Sequence, residues 1–127
     1  MKIILAPNPY RDKQFQTALQ AKKILEECGC VTRMCLPFDV DRDFELPRTL
    51  RFTDIRTEIR DAEMLICFGG DGTILHTSKI ATQHNLPVLG VNIGTMGFIA
   101  ELESGELELL RKLPKKEYTI ENRSMLD

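Results

Sequence analysis

Three segments of this chain, KIILAP at 2–7, MLICF at 64–68 and LPVLGVN at 86–92, are apolar almost without a break. A strand with one wet face alternates polar and apolar residues. A strand that stays apolar must be covered on both faces, which is the condition of a parallel sheet between helix layers. The intervening sequence supplies the helices. Ala18, Ala21, Leu25 and Cys28 recur at helical spacing over 12–28, and Gly29 stands where that helix would close. Ile74, Thr77, Ser78 and Ala81 recur likewise over 73–84, a face of small residues able to pack closely on a sheet. CVTRMCL at 30–36 alternates as a further strand. The charged, proline-broken stretch from Pro37 to about Asp54 reads as a surface loop, with a short helix near 50–60 carrying Ile55 and Ile59. A helix near 105–112 and a strand from about 117 complete the pattern. Strands alternating with helices predict an α/β fold, a doubly wound parallel sheet of Rossmann or flavodoxin-like type with right-handed crossovers.

The composition narrows the functions open to such a sheet. The chain has 127 residues, 43% of them hydrophobic and 28% charged, enough for one core of ordinary size. A formal charge of −2 gives no electrostatic footprint for nucleic acid or an anionic membrane. No apolar stretch approaches the roughly 20 residues of a membrane helix, and MKIILAP is too short for the core of a signal peptide. Cys28, Cys30, Cys35 and Cys67 form neither a CxxC pair nor a ligand series. They read as buried free thiols of a reducing cytoplasm, and no metal site is expected of them or of the two histidines.

The segments that end two of the strands carry the chemistry. MLICF runs directly into GGDGT at 69–73, and LPVLGVN into the glycine-punctuated NIGTMGF. In open parallel sheets, ligands bind at the carboxyl ends of the strands, where both loops must lie. A helix starting after Gly72 would aim free N–H groups and a positive dipole end at the first loop, and glycines let a phosphate come close to them. GGDGT is neither a Walker A loop nor a GxGxxG fingerprint. Its aspartate would repel a phosphate unless Mg²⁺ lies between them or the carboxylate faces a hydroxyl. A general base set against an alcohol beside a phosphoryl donor meets that condition, and a helix-capping aspartate is the plainer alternative.

GGDGT followed by LGVNIGTMGFIAELE resembles the NAD kinases, which phosphorylate the adenosine 2′-hydroxyl of NAD to make NADP. The first motif is shared with lipid kinases and phosphofructokinases of one superfamily, so the resemblance implies a phosphofructokinase-like N-terminal domain. The second motif, supplied by Pro87, Leu89, Gly90, Asn92, Gly94, Gly97 and Phe98, separates the NAD kinases from the lipid kinases. The resemblance implies Mg²⁺ with ATP or polyphosphate as donor, NAD as acceptor, and a homo-oligomer when full-length. It makes Asp71 the catalytic base, and Gly70, Gly72, Thr73, His76, Asn92 and Phe98 nucleotide-binding residues. Thr73 equally fits a helix cap, His76 an exposed helical histidine and Phe98 a core aromatic.

The chain departs from the family pattern at Ile93, Thr95 and Met96, which bears on the details of the nucleotide contact. The family's Asn-Glu pair and Thr-x-x-Gly-Ser-Thr-Ala-Tyr segment are not in it, and ENRSMLD at its end resembles a strand entering the domain that carries them. The expectation is therefore an α/β nucleotide-binding domain over 1–98, the start of a truncated second domain over 99–127, and a fragment inactive alone. A lipid or sugar kinase of the same superfamily, or a nucleotide-binding module without chemistry, is the alternative.

Overall fold

The computed structural model describes residues 1–93 and 102–113. Its centre is a six-stranded sheet in which every neighbouring pair is parallel: β1 (Lys2–Pro7), β2 (Val31–Cys35), β3 (Phe52–Thr53), β4 (Met64–Gly69), β5 (Val88–Asn92) and β6 (Leu102–Glu103). The order β3-β2-β1-β4-β5-β6 is that of a doubly wound Rossmann-type sheet, and it reverses direction between β1 and β4. The helices are α1 (Gln16–Glu27), α2 (Ile55–Glu58) and α3 (Asp71–Gln83). The 3₁₀ segments Lys13–Phe15 and Ser104–Lys112 complete the described elements.

The unbroken apolar runs have a direct physical cause. Ile3 and Leu5 of β1, with Ile66 and Phe68 of β4, join the core beneath α1, where Ala18, Ala21 and Leu25 meet them. Ile4 and Ala6, with Leu65 and Cys67, join the core on the other face, where Ile74 and Ala81 of α3 and Ile55 and Ile59 cover them. Successive side chains of one strand thus enter different cores, so neither face admits a polar residue.

Both long helices stop where their backbone turns left-handed. Gly29 has φ +88° and follows α1; Gly29 N–H donates to Glu26 O at 3.0 Å and Cys30 N–H to Leu25 O at 3.0 Å. Asn85, with φ +53°, closes α3 in the same way, with Leu86 N–H donating to Ala81 O at 2.9 Å. The start of α1 differs from the expected residue 12. Gln14 and Phe15 take left-handed angles, so the helix begins at Gln16. Asp12, 2% exposed, reaches across the kink, its carboxylate accepting from Thr17 N–H and Ala18 N–H at 2.9 Å each. The helix expected near 105–112 is the tighter 3₁₀ segment Ser104–Lys112, kinked at Glu106, with Leu107, Leu110 and Leu113 in the core beneath α1. β3 and β6 were not anticipated, and the strand expected from about 117 lies outside the described residues.

At the amino edge of the sheet, Lys2 Nζ pairs with Glu58 at 3.0 Å and with Asp61, and Arg33 stands 3.4 Å from Glu58. This cluster ties the α2 region to β1 at the end of the sheet remote from the glycine loops.

Candidate functional site

The carboxyl ends of β1 and β4 lie side by side, with Pro7 in register with Phe68, and the adjoining register sets Gly69 beside Asn92 of β5. The reversal of strand order therefore puts three loop starts at one place. Asn8 organises the first of them. Its N–H donates to Phe68 O at 2.8 Å, its Oδ1 accepts from Tyr10 N–H at 2.9 Å, and its Nδ2 donates to Thr73 Oγ1 at 2.8 Å. Its carbonyl accepts from Arg11 N–H and Asp12 N–H. Ile93 N–H donates to Gly69 O at 3.1 Å and so ties the end of β5 to the same loop.

α3 begins at Asp71 rather than after Gly72, with Gly70 as its N-cap residue and no side-chain cap. Asp71 thus stands in the first turn rather than at the capping position, a carboxylate at the positive end of the helix. The expected small-residue face is present: Ile74, Thr77, Ser78 and Ala81 are all buried. Thr73 is buried as well, where it receives the Asn8 bond, while Gly72 and His76 are exposed.

The glycines of the loop divide into two kinds. A Cβ on Gly69 would come within 2.8 Å of Thr73 Oγ1, 2.9 Å of Thr73 Cβ and 3.1 Å of Asn8 Cβ, so internal packing demands that glycine. Gly90 of β5 is set likewise by Ile74, whose Cδ1 would lie 2.9 Å from an added Cβ. Gly70 and Gly72 have no such reason. Gly70 is extended, with φ −96° and ψ −173°, and its nearest neighbour would be Arg11 Cζ at an ordinary 3.5 Å. A Cβ on Gly72 would meet nothing within 4 Å beyond its own helical turn, and a glycine inside a helix costs about 0.5–1 kcal/mol relative to alanine. The fold does not need these two glycines; a ligand seated on the backbone would.

His76 is held by the loop after β2. Its Nε2 stands 2.9 Å from Pro37 O; since a carbonyl only accepts, Nε2 carries the proton. Phe38 lies edge-on to the His76 ring at 6.3 Å, Tyr10 stacks parallel to Phe38 at 6.2 Å and meets Phe44 edge-on at 5.1 Å, and Asp41 N–H donates to Tyr10 Oη at 3.1 Å. This aromatic group fastens the 37–44 segment beside the glycine loop. Asn92, 2% exposed, donates from Nδ2 to Glu103 Oε2 at 3.0 Å, joining β5 to β6 at the same edge. Phe98, with Gly94 and Gly97, lies outside the described residues.

Sequence reasoning missed Asn8, Tyr10 and Arg11. The signal was the NPYR that follows a strand-closing proline in APNPYR, at the carboxyl end of the first strand. Cys28, Cys30, Cys35 and Cys67 are free; burial raises the Cys67 thiol to about 11, which makes it inert rather than nucleophilic. Among the described residues, no group of three His, Cys, Asp or Glu side chains is arranged to hold a metal ion, and no helix is long and apolar enough to cross a membrane.

The family model described as the ATP-NAD kinase N-terminal domain matches residues 3–118. A protein of Corynebacterium efficiens named NAD kinase is 33% identical over 98% of this chain and 41% of its own length. One of Bacteroides fragilis with the same name is 32% identical over 99% of this chain and 44% of its own length. One of Natranaerobius thermophilus, also named NAD kinase, is 46% identical over 59% of this chain and 26% of its own length. The chain thus spans less than half the length of these relatives.

Proposed function

The chain belongs to the NAD kinase family, and on that premise we propose that it forms the nucleotide-binding part of an enzyme that phosphorylates the adenosine 2′-hydroxyl of NAD to give NADP. The observation that carries this reading is the pair Gly70 and Gly72, glycines that the packing of the chain does not require, on either side of Asp71 at the start of α3. The N–H groups that the first turn of a helix presents suit the oxygens of a polyphosphate. ATP, brought as its Mg²⁺ complex, or an inorganic polyphosphate is the donor. Mg²⁺ bound with the donor would draw charge from the phosphate oxygens. In the reaction the Asp71 carboxylate takes the proton of the 2′-hydroxyl as that oxygen attacks the terminal phosphorus. The bond from that phosphorus to its bridging oxygen breaks, and the shortened phosphate chain leaves. Thr73 fixes the loop through Asn8, His76 borders the loop, Asn92 sets the end of β5 behind it, and Phe98 is the residue the family resemblance assigns to the adenosine. The free thiols accord with a cytoplasmic protein.

The test is NADP formation by the full-length gene product given NAD, MgATP or polyphosphate, with NADP measured by an NADP-specific dehydrogenase. Saturable NADP formation supports the reading, and its absence with both donors contradicts it. Residues 1–127 alone are expected to give none at an enzymatic rate. One loop can place a base, but orienting both substrates is worth about 7–11 kcal/mol and takes contacts on both.

A further inference from the structure

Arg11 lies in the loop that leaves β1, and the assignments above give it no part. Its guanidinium lies over Gly70: Cζ, Nη1 and Nε would lie 3.5, 3.7 and 3.8 Å from a Cβ at that residue, near-equal distances that put that position above the flat face of the group. The loop is held in that place, because Arg11 N–H donates to Asn8 O at 3.1 Å and Asn8 Nδ2 donates to Thr73 Oγ1 at 2.8 Å. A rigid, permanently charged fork thus borders Gly70, one of the two glycines that the fold does not require. It also answers an electrostatic difficulty of the loop: Asp71 repels an incoming phosphate, and a cation on the Gly70 side offsets that repulsion at the point of approach.

We infer that Arg11 binds the polyphosphate of the phosphoryl donor over Gly70, and that the Asn8–Thr73 hydrogen bond positions it to do so. The inference rests on the kinase reading and adds to it the side-chain cation of the donor site. An arginine fork matches two phosphate oxygens at once, whereas a lysine offers a point charge.

The experiment titrates inorganic triphosphate into the ¹⁵N-labelled chain, followed by amide shifts. Wild type is expected to respond at Gly70, Asp71, Gly72 and Thr73. Arg11→Ala should weaken binding by about tenfold or more, the loss expected for a charge-assisted contact. Arg11→Lys should fall between, and Asn8→Ala should weaken binding with Arg11 intact. Lys13→Ala, which removes an exposed neighbouring charge, should bind within about twofold of wild type. Thermal unfolding of each variant identifies those that remain folded. Equal affinity of Arg11→Ala and wild type would overturn the inference, as would equal losses in Arg11→Ala and Lys13→Ala or a wild type silent at the loop. Arg11-dependent triphosphate binding in a chain whose full-length gene product makes no NADP would instead defeat the kinase reading alone.

Discussion

The side-chain amide of Asn8 donates to the hydroxyl of Thr73 at 2.8 Å, joining the loop after the first strand to the first turn of a helix 65 residues further along the chain. The bond passes over Gly69, which has no side chain because Thr73 and Asn8 Cβ already occupy the space. Removing the amide with Asn8→Ala should cost about 1 kcal/mol of unfolding free energy, as for a partly buried hydrogen bond. Urea unfolding of the 127-residue chain measures it, and no change would show that the loop is held by its backbone bonds alone.

The division of the glycines predicts opposite outcomes for two alanine substitutions. Gly69→Ala forces a methyl group against Thr73 and Asn8 and should destabilise the fold by about 1–3 kcal/mol. Gly72→Ala meets open space in a helical turn and should be neutral or stabilise by up to about 1 kcal/mol. The same Gly72→Ala should reduce NADP formation by the full-length gene product by at least about tenfold, or about 1.4 kcal/mol of barrier, because the methyl enters the phosphate's approach. Unfolding curves for both variants and a rate for the second are the measurements. A Gly72→Ala enzyme of normal rate would mean that no ligand sits against that backbone.

Stability should depend on pH through the amino-edge ion cluster. The hydrogen bond from Lys2, then that with Thr53, holds the Glu58 carboxyl below its ordinary 4.5. The bond to Asp61, outweighing desolvation, holds Lys2 above its ordinary 10.5. A lowered carboxyl adds stability that is complete above pH 4.5 and lost as pH falls through its lowered value; a raised ammonium adds stability complete below 10.5 and lost as pH rises further. The chain should therefore be most stable between these limits. Lys2→Met should flatten the acid limb, by less at high salt, since the cluster is partly exposed. Unfolding midpoints at pH 3 and pH 7 for both proteins test this, and parallel changes in the two would remove the cluster from the account.

Much of the sheet was legible because its cause is local. Ile3 to Ala6 and Leu65 to Phe68 are apolar in unbroken runs since alternate residues enter two cores, and Gly29 marks a helix end by the one property that makes it glycine. What was not legible depends on distant partners or very short pairings. Phe52–Thr53 and Leu102–Glu103 are strands only because β2 and β5 offer them edges, and two residues carry no period. The start of α1 moved because Asp12 caps Thr17 and Ala18 across two left-handed residues, a conformation that Gln14 and Phe15 do not announce. At the site, the position of GGDGT followed from the strand before it. The sequence pattern suggested a single reason for all three glycines, whereas Gly69 is explained by Thr73 and Asn8 alone. Asn8 and Arg11 escaped notice because their significance lies in a helix brought near by the order of the strands.

The proposed chemistry depends on Asp71, and its sharpest test is kcat of Asp71→Asn in the full-length gene product, followed across a Mg²⁺ series with NAD affinity determined separately. Asparagine keeps the size of the side chain and gives up only the modest helix-dipole stabilisation of a first-turn carboxylate, about 0.3–1 kcal/mol, but it cannot take the proton of the 2′-hydroxyl. The expected result is a fall in kcat of about 10²–10⁴-fold, the usual worth of general-base catalysis, with little change in NAD affinity and no recovery at high Mg²⁺. A kcat close to wild type would contradict the assignment of the base, and a loss that Mg²⁺ restores would make Asp71 a metal partner instead.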